Sequence, residues 1–104
     1  MSLYYNIAGS SSVTTELIAP NISINVKYLT ICNTHASNDA SITLFIQNSP
    51  TSGTTNTYNI VKAVVLPAKT TLMFDDEELF SYSDQYGLYI TVGGSDTVDV
   101  IINK

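Results

Sequence analysis

Apolar and polar residues alternate with a period of two along most of the chain, and a helical period appears almost nowhere. In "TVDVIIN" (97–103) Val98, Val100 and Ile102 fall in one phase, which turns Asp99 and Ile101 to the other. A segment of that kind hides its apolar face only as a strand. Similar stretches are "SLYYNIA" (2–8) and "VTTELIA" (13–19), the latter stopped by Pro20, whose missing amide ends pairing. In "ISINVKYLTICN" (22–33), Ile22, Ile24 and Val26 share one face while Leu29 and Ile31 take the opposite phase, so a bulge or bend is expected near Lys27 and Tyr28. "SITLFIQ" (41–47) aligns Ile42, Leu44 and Ile46; "YNIVKAVVL" (58–66) stops at Pro67, and "TTLMF" (70–74) follows. "GLYITV" (87–92) and the last strand are separated by "GGSD", which reads as a hairpin turn.

Turn clusters lie at "THASND" and at the polar loop "NSPTSGTTNT" (48–57). The pattern gives about eight strands, most of them antiparallel neighbours, without repeat or linker. A chain of 104 residues makes one core, so residues 1–104 form a single domain. Two half-apolar sheets cover their apolar faces only against each other. The expected fold is therefore all-β, a single antiparallel β-sandwich, jelly-roll-like or immunoglobulin-like, with Ile42, Leu44, Ile90, Val98 and Val100 in its core.

Composition removes several functions. The four basic residues are all lysine and the net charge is −5, so groove binding to nucleic acid has no electrostatic basis. An anionic membrane surface is disfavoured for the same reason, and no apolar run approaches the ~18 residues of a membrane span. Cys32 is the single cysteine, so no intrachain disulfide forms. "MSLYYNIAGSSSV" has neither a basic region nor a continuous apolar one, which reads as no signal peptide and synthesis in a cytoplasm. "NIS" at Asn21 fits a glycosylation sequon, read as chance in so Asn- and Ser-rich a chain.

The sequence offers little chemistry. His35 is the only histidine, placed in a turn and expected to be solvated, while Cys32 is expected to be a small buried residue in a strand. There is no nucleophile elbow, P-loop or dinucleotide loop, and one Cys with one His makes no zinc site. No catalytic residue, cofactor or metal site is assigned, and the chain is read as no enzyme.

The run "TTLMFDDEELFSYSD" (70–84) holds five of the nine acidic residues. Ca²⁺ loops alternate their ligands so that side chains converge on one ion, whereas Asp75, Asp76, Glu77 and Glu78 are consecutive. Asp75 and Glu78 have the spacing of a capping box, with Leu79 and Phe80 placed to anchor a single helical turn. The run reads as a solvated, capped turn; the alternative is a Ca²⁺ site of Asp75, Asp76, Glu78 and Asp84.

Phe45, Tyr89 and Ile101 sit in the outward phase of their strands and are candidates for one apolar patch, against the plain alternative of scattered surface residues. With so few lysines to guard sheet edges, the first strand "LYYNI" (3–7) and the last "VDVII" (98–102) are expected to be edges covered by a neighbour, with Tyr4, Tyr5 and Ile101 as anchors.

Taken in order, "LIAP" (17–20), "LTICNT" (29–34), "ITLFI" (42–46), "YNIVK" (58–62), "LPAKTTL" (66–72), "GLYI" (87–90) and "VDVII" (98–102) resemble the motif series of small β-sandwich virion proteins of tailed bacteriophages. Lys69 stands where those chains usually carry glycine after Pro-Ala, which leaves the turn there open to a different geometry. The resemblance implies a non-enzymatic part of the particle. That part is a head decoration or cement subunit, or a neck, tail or fibre-base component. Its partners would be copies of itself and the major capsid or tail protein, and its location the virion after synthesis in the host cytoplasm. A competing reading is a sugar-binding β-sandwich, for which seven Tyr offer stacking rings; Trp is absent, and the Tyr lie in strands rather than loops.

Overall fold

The computed structural model describes residues 2–8, 12–22, 25–48, 55–76, 80, 82, 85–94 and 97–104. The strands are β1 (Ser2–Ile7), β2 (Val13–Ile18), β3 (Tyr28–Asn33), β4 (Ala40–Asn48), β5 (Thr57–Leu66), β6 (Thr71–Phe74), β7 (Tyr86–Gly93) and β8 (Val98–Asn103). They form two antiparallel sheets, a first of order β1-β8-β3-β6 and a second of order β2-β7-β4-β5.

The pairing follows one rule. β1 pairs with β8, β2 with β7, β3 with β6 and β4 with β5, as in a single long hairpin. The hairpin then wraps on itself, so that β3 also meets β8 and β4 also meets β7. This is the jelly-roll member of the two expected sandwiches.

Wrapping corrects the expected connections. Only β4 and β5 are consecutive strands that pair; every other step crosses between sheets. The "GGSD" segment is therefore no hairpin turn, because β7 and β8 lie in different sheets. Gly94 opens that crossing at φ 81°, where an added Cβ would sit 2.7 Å from the Asp39 carbonyl oxygen. Nor do residues 22–33 make one bent strand. β3 begins at Tyr28, Ile22 is exposed and Val26 is buried. The change of phase marks coil entering a strand. Ile24 lies outside the described residues.

The core sits between the sheets. Leu29, Ile31, Ile42, Leu44, Leu88, Ile90, Val92, Val98, Val100 and Ile102 are fully buried, and the five residues expected there are among them. Phe80 is buried with them. Gly87 is required by packing: a Cβ there would lie 2.6 Å from the Ile18 carbonyl oxygen and 2.8 Å from the Pro20 ring.

The turn after β5 keeps a glycine-like shape. Lys69 has φ 62°, and its amide donates to the Asn33 carbonyl at 2.8 Å. A left-handed conformation costs an L-residue roughly 1–2 kcal/mol, partly offset by the greater freedom glycine has when unfolded. Lys69→Gly is thus expected to raise stability by about 0.5–1 kcal/mol, measured as a higher urea midpoint at unchanged slope. A lowered midpoint would show that the lysine side chain contributes more than its backbone costs.

Candidate interaction surface

Strand alternation gives each sheet an outer face, and the two faces differ. On the first sheet, Tyr4 pairs with Ile101, Ile101 with Thr30, and Thr30 with Met73, so these four residues form one row across all four strands. Tyr4 is 72% exposed, Met73 56% and Ile101 37%, with Tyr28 nearby at 39%. The next row is Asn6, Asp99, Cys32 and Thr71. Asp99 is the only charged residue in the four strands of this sheet, and its carboxylate accepts from the Asn6 amide at 2.5 Å. An open apolar row with almost no charge is the composition of an interface centre.

On the outer face of the second sheet the polar side chains bond one another. The Thr14 and Thr91 hydroxyls are 2.8 Å apart, Gln47 donates to the Thr57 hydroxyl at 2.9 Å, and Thr43 accepts from the Ala63 amide at 2.9 Å. Phe45 and Tyr89 stack with centroids 5.6 Å apart, and the Tyr89 hydroxyl donates to Glu16 at 3.1 Å. Burial, then the hydrogen bond to Glu16 and its charge, hold the Tyr89 hydroxyl above the usual tyrosine range. These cross-strand pairs engage the polar groups of that face with one another, and Val65, opposite Ser41 in β5, is an exposed apolar side chain there at 63%.

The expected patch is thus divided. Phe45 and Tyr89 lie on the second sheet and Ile101 on the first, on opposite outer faces. Tyr5 is not on an outer face at all: it packs against the core with Leu3, and its hydroxyl donates to the Leu17 carbonyl. Burial first, and the Glu16 charge second, raise its hydroxyl above the usual tyrosine range. β8 is no edge, because β1 and β3 pair with it on both sides. Of the expected anchors, Tyr4 and Ile101 remain together. Thr30, Met73 and Tyr28 join them, and their outward phase was readable beside Leu29, Ile31 and Leu72.

The remaining candidates place as follows. Asp75 and Asp76 are exposed beyond β6, whereas Glu78 and Asp84, like Leu79 of the capped turn, lie outside the described residues. Among the described residues no three His, Cys, Asp or Glu side chains are grouped to hold a metal ion. Cys32 is half-buried on the outer face rather than in the core, in the phase of Thr30. His35 organises its turn instead of standing in solvent: Nδ1 accepts from the Ser37 and Asn38 amides at 3.1 and 3.0 Å. A shallow groove of about 270 Å³ opens between Asn6, Ala8, Thr34, Thr97 and Asp99. The Asp99 carboxylate is already engaged there with Asn6, and Thr34 donates to the Thr97 carbonyl at 2.6 Å. Compared with known proteins, the chain matches no protein-family model and no curated protein.

Proposed function

We propose that this chain is a non-enzymatic structural subunit of a tailed-bacteriophage virion, most simply a capsid decoration or cement subunit acting through protein–protein contacts. One observation carries the reading beside the motif resemblance: the outer face of the first sheet, with Tyr4, Ile101 and Met73 in one row and a single carboxylate. Exposing such a face to water costs free energy, and a flat neighbour that covers it stabilises it. Low charge also suits burial, since an unpaired charge in an interface is costly.

The test is mass spectrometry of purified particles, with copy number taken relative to the major capsid protein. A fixed ratio near one per capsid-protein group identifies a head decoration subunit, and a few copies per particle a neck, tail or fibre-base part. Ile101→Lys with Met73→Lys is expected to fold with a near-wild-type melting midpoint, because both side chains are exposed. Its incorporation should fall sharply. Absence of the wild-type chain from particles overturns the proposal.

A further inference from the structure

Four strands form the lateral edges of the two sheets, and three carry a feature that discourages further pairing. β6 is four residues long and runs into Asp75 and Asp76. β2 carries exposed Glu16, shifts register between Glu16 and Ile18, and is followed by Pro20. β5 pairs through two register shifts, holds Ala63 at φ 52° and exposes Lys62. β1 differs. Its six residues pair one for one with β8 without a shift, and it contains no charge, no proline and no positive φ. An antiparallel strand bonded on one side directs alternate amides and carbonyls away from its partner. Among the described residues, no backbone hydrogen bond ties β1 to any element but β8.

We infer that β1 pairs with β1 of a second copy of this chain, antiparallel about a two-fold axis at Tyr4, joining the two first sheets into one of eight strands. A strand paired with itself in this way closes the symmetry and needs no second surface. Directly opposed residues in an antiparallel pair share a face, so the outward Tyr4 must meet an outward residue. With Tyr4 opposite Tyr4, Leu3 falls opposite Tyr5, keeping inward with inward. The row of Met73, Thr30, Ile101 and Tyr4 then continues unbroken into the second copy, and two exposed rings gain a partner.

Charge adds a small preference for the antiparallel direction. The net charge of −5 opposes self-association in general, but β1 itself is neutral. The Ser2 end adjoins Asn103, which precedes Lys104 and accepts from the Lys27 amide at 2.7 Å. The other end carries Asp99 opposite Asn6. Antiparallel pairing sets the cationic end of one copy against the acidic end of the other, while parallel pairing would set like against like. The opposed charges stand about three strand spacings apart, ~14 Å, so ordinary salt screens them and the dimer depends little on ionic strength. This pairing is independent of the virion reading, since it leaves the outer face free. A chain that dimerises but is absent from particles would remove only that reading.

Sedimentation equilibrium of the full chain over a micromolar range is expected to give a reversible dimer. Tyr4→Lys should be monomeric over the same range, because it opposes like charges across the axis. A cross-link fixes the register. In a Cys32→Ser background, Tyr4→Cys should form a covalent dimer under mild oxidation, since opposed strand residues lie within disulfide reach. Asn6→Cys in that background should not, being displaced from its own copy by several residues. A wild-type monomer throughout, or a dimer that survives Tyr4→Lys and cross-links through Asn6→Cys instead, overturns the inference.

Discussion

Replacing Leu44 with alanine is expected to lower the free energy of unfolding by about 2–5 kcal/mol. Leu44 is fully buried near the middle of β4, opposite Ile90 on one side and Val61 on the other. Its side chain points into the gap between the sheets, within the cluster that includes Leu29, Ile31 and Val100. The loss has two parts, the transfer of the removed methyl groups and the cavity left behind. A site that collapses recovers some of the second part. Here β4 is an inner strand held by ladders to both β5 and β7, so its backbone has little room to move inward. The upper half of the range is therefore expected. Total stabilities of small domains are about 5–15 kcal/mol, so the variant should remain folded but lose a large share of its margin. Urea unfolding checks this: the midpoint should fall at unchanged slope. A loss below about 1 kcal/mol at unchanged slope would place Leu44 outside the core.

The same strand shows what a sequence of this type discloses. Alternation assigns each side chain to a face, and it did so correctly for Ile42 and Leu44 in β4, Ile90 in β7, and Val98 and Val100 in β8. It says nothing about which strand lies alongside. A jelly roll pairs residues far apart in the chain, such as Tyr4 with Ile101, and a local pattern contains no trace of that distance. For this reason "GGSD" resembled a hairpin, β8 resembled an edge, and Phe45 and Ile101 seemed to share a patch. Tyr5 is another matter. Leu3, Tyr5 and Ile7 alternate, so its inward phase was legible, and the hydroxyl's need for a partner is met inside by the Leu17 carbonyl. Cys32 likewise shares the phase of Thr30. The row that now carries the functional reading needed both kinds of information, phase from the sequence and strand order from the fold.

Asn33 follows from phase alone, and its substitution is the second large effect expected. It shares the inward phase of Leu29 and Ile31 and is fully buried, so a polar side chain is carried into an apolar layer and must find partners there. Its side-chain amide donates to the Leu66 carbonyl at 3.0 Å and the Asn38 carbonyl at 2.9 Å, and its oxygen accepts from the His35 amide at 3.1 Å. One residue thus ties the turn after β3 to the end of β5. Asn33→Ala leaves the backbone bonds to Thr70 and Lys69 in place but strands these three groups. A stranded buried group costs about 1–3 kcal/mol; the Leu66 bond is buried and the other two are partly wet, so the expected loss is roughly 2–4 kcal/mol. Asn33→Asp should be worse at neutral pH despite its matching shape, because a carboxylate oxygen would face two carbonyl oxygens where an amide had donated. Burial and those carbonyls favour the protonated acid, so its folded pKa lies above its unfolded one. The native state then binds the proton more tightly, and stability rises as pH falls through that folded pKa. The deficit of Asn33→Asp relative to Asn33→Ala is therefore expected to narrow on acidification, read from urea midpoints of both variants along a pH series. A cost below about 1 kcal/mol for Asn33→Ala, or a gap that widens toward acid, would show that the two turns are held by other contacts.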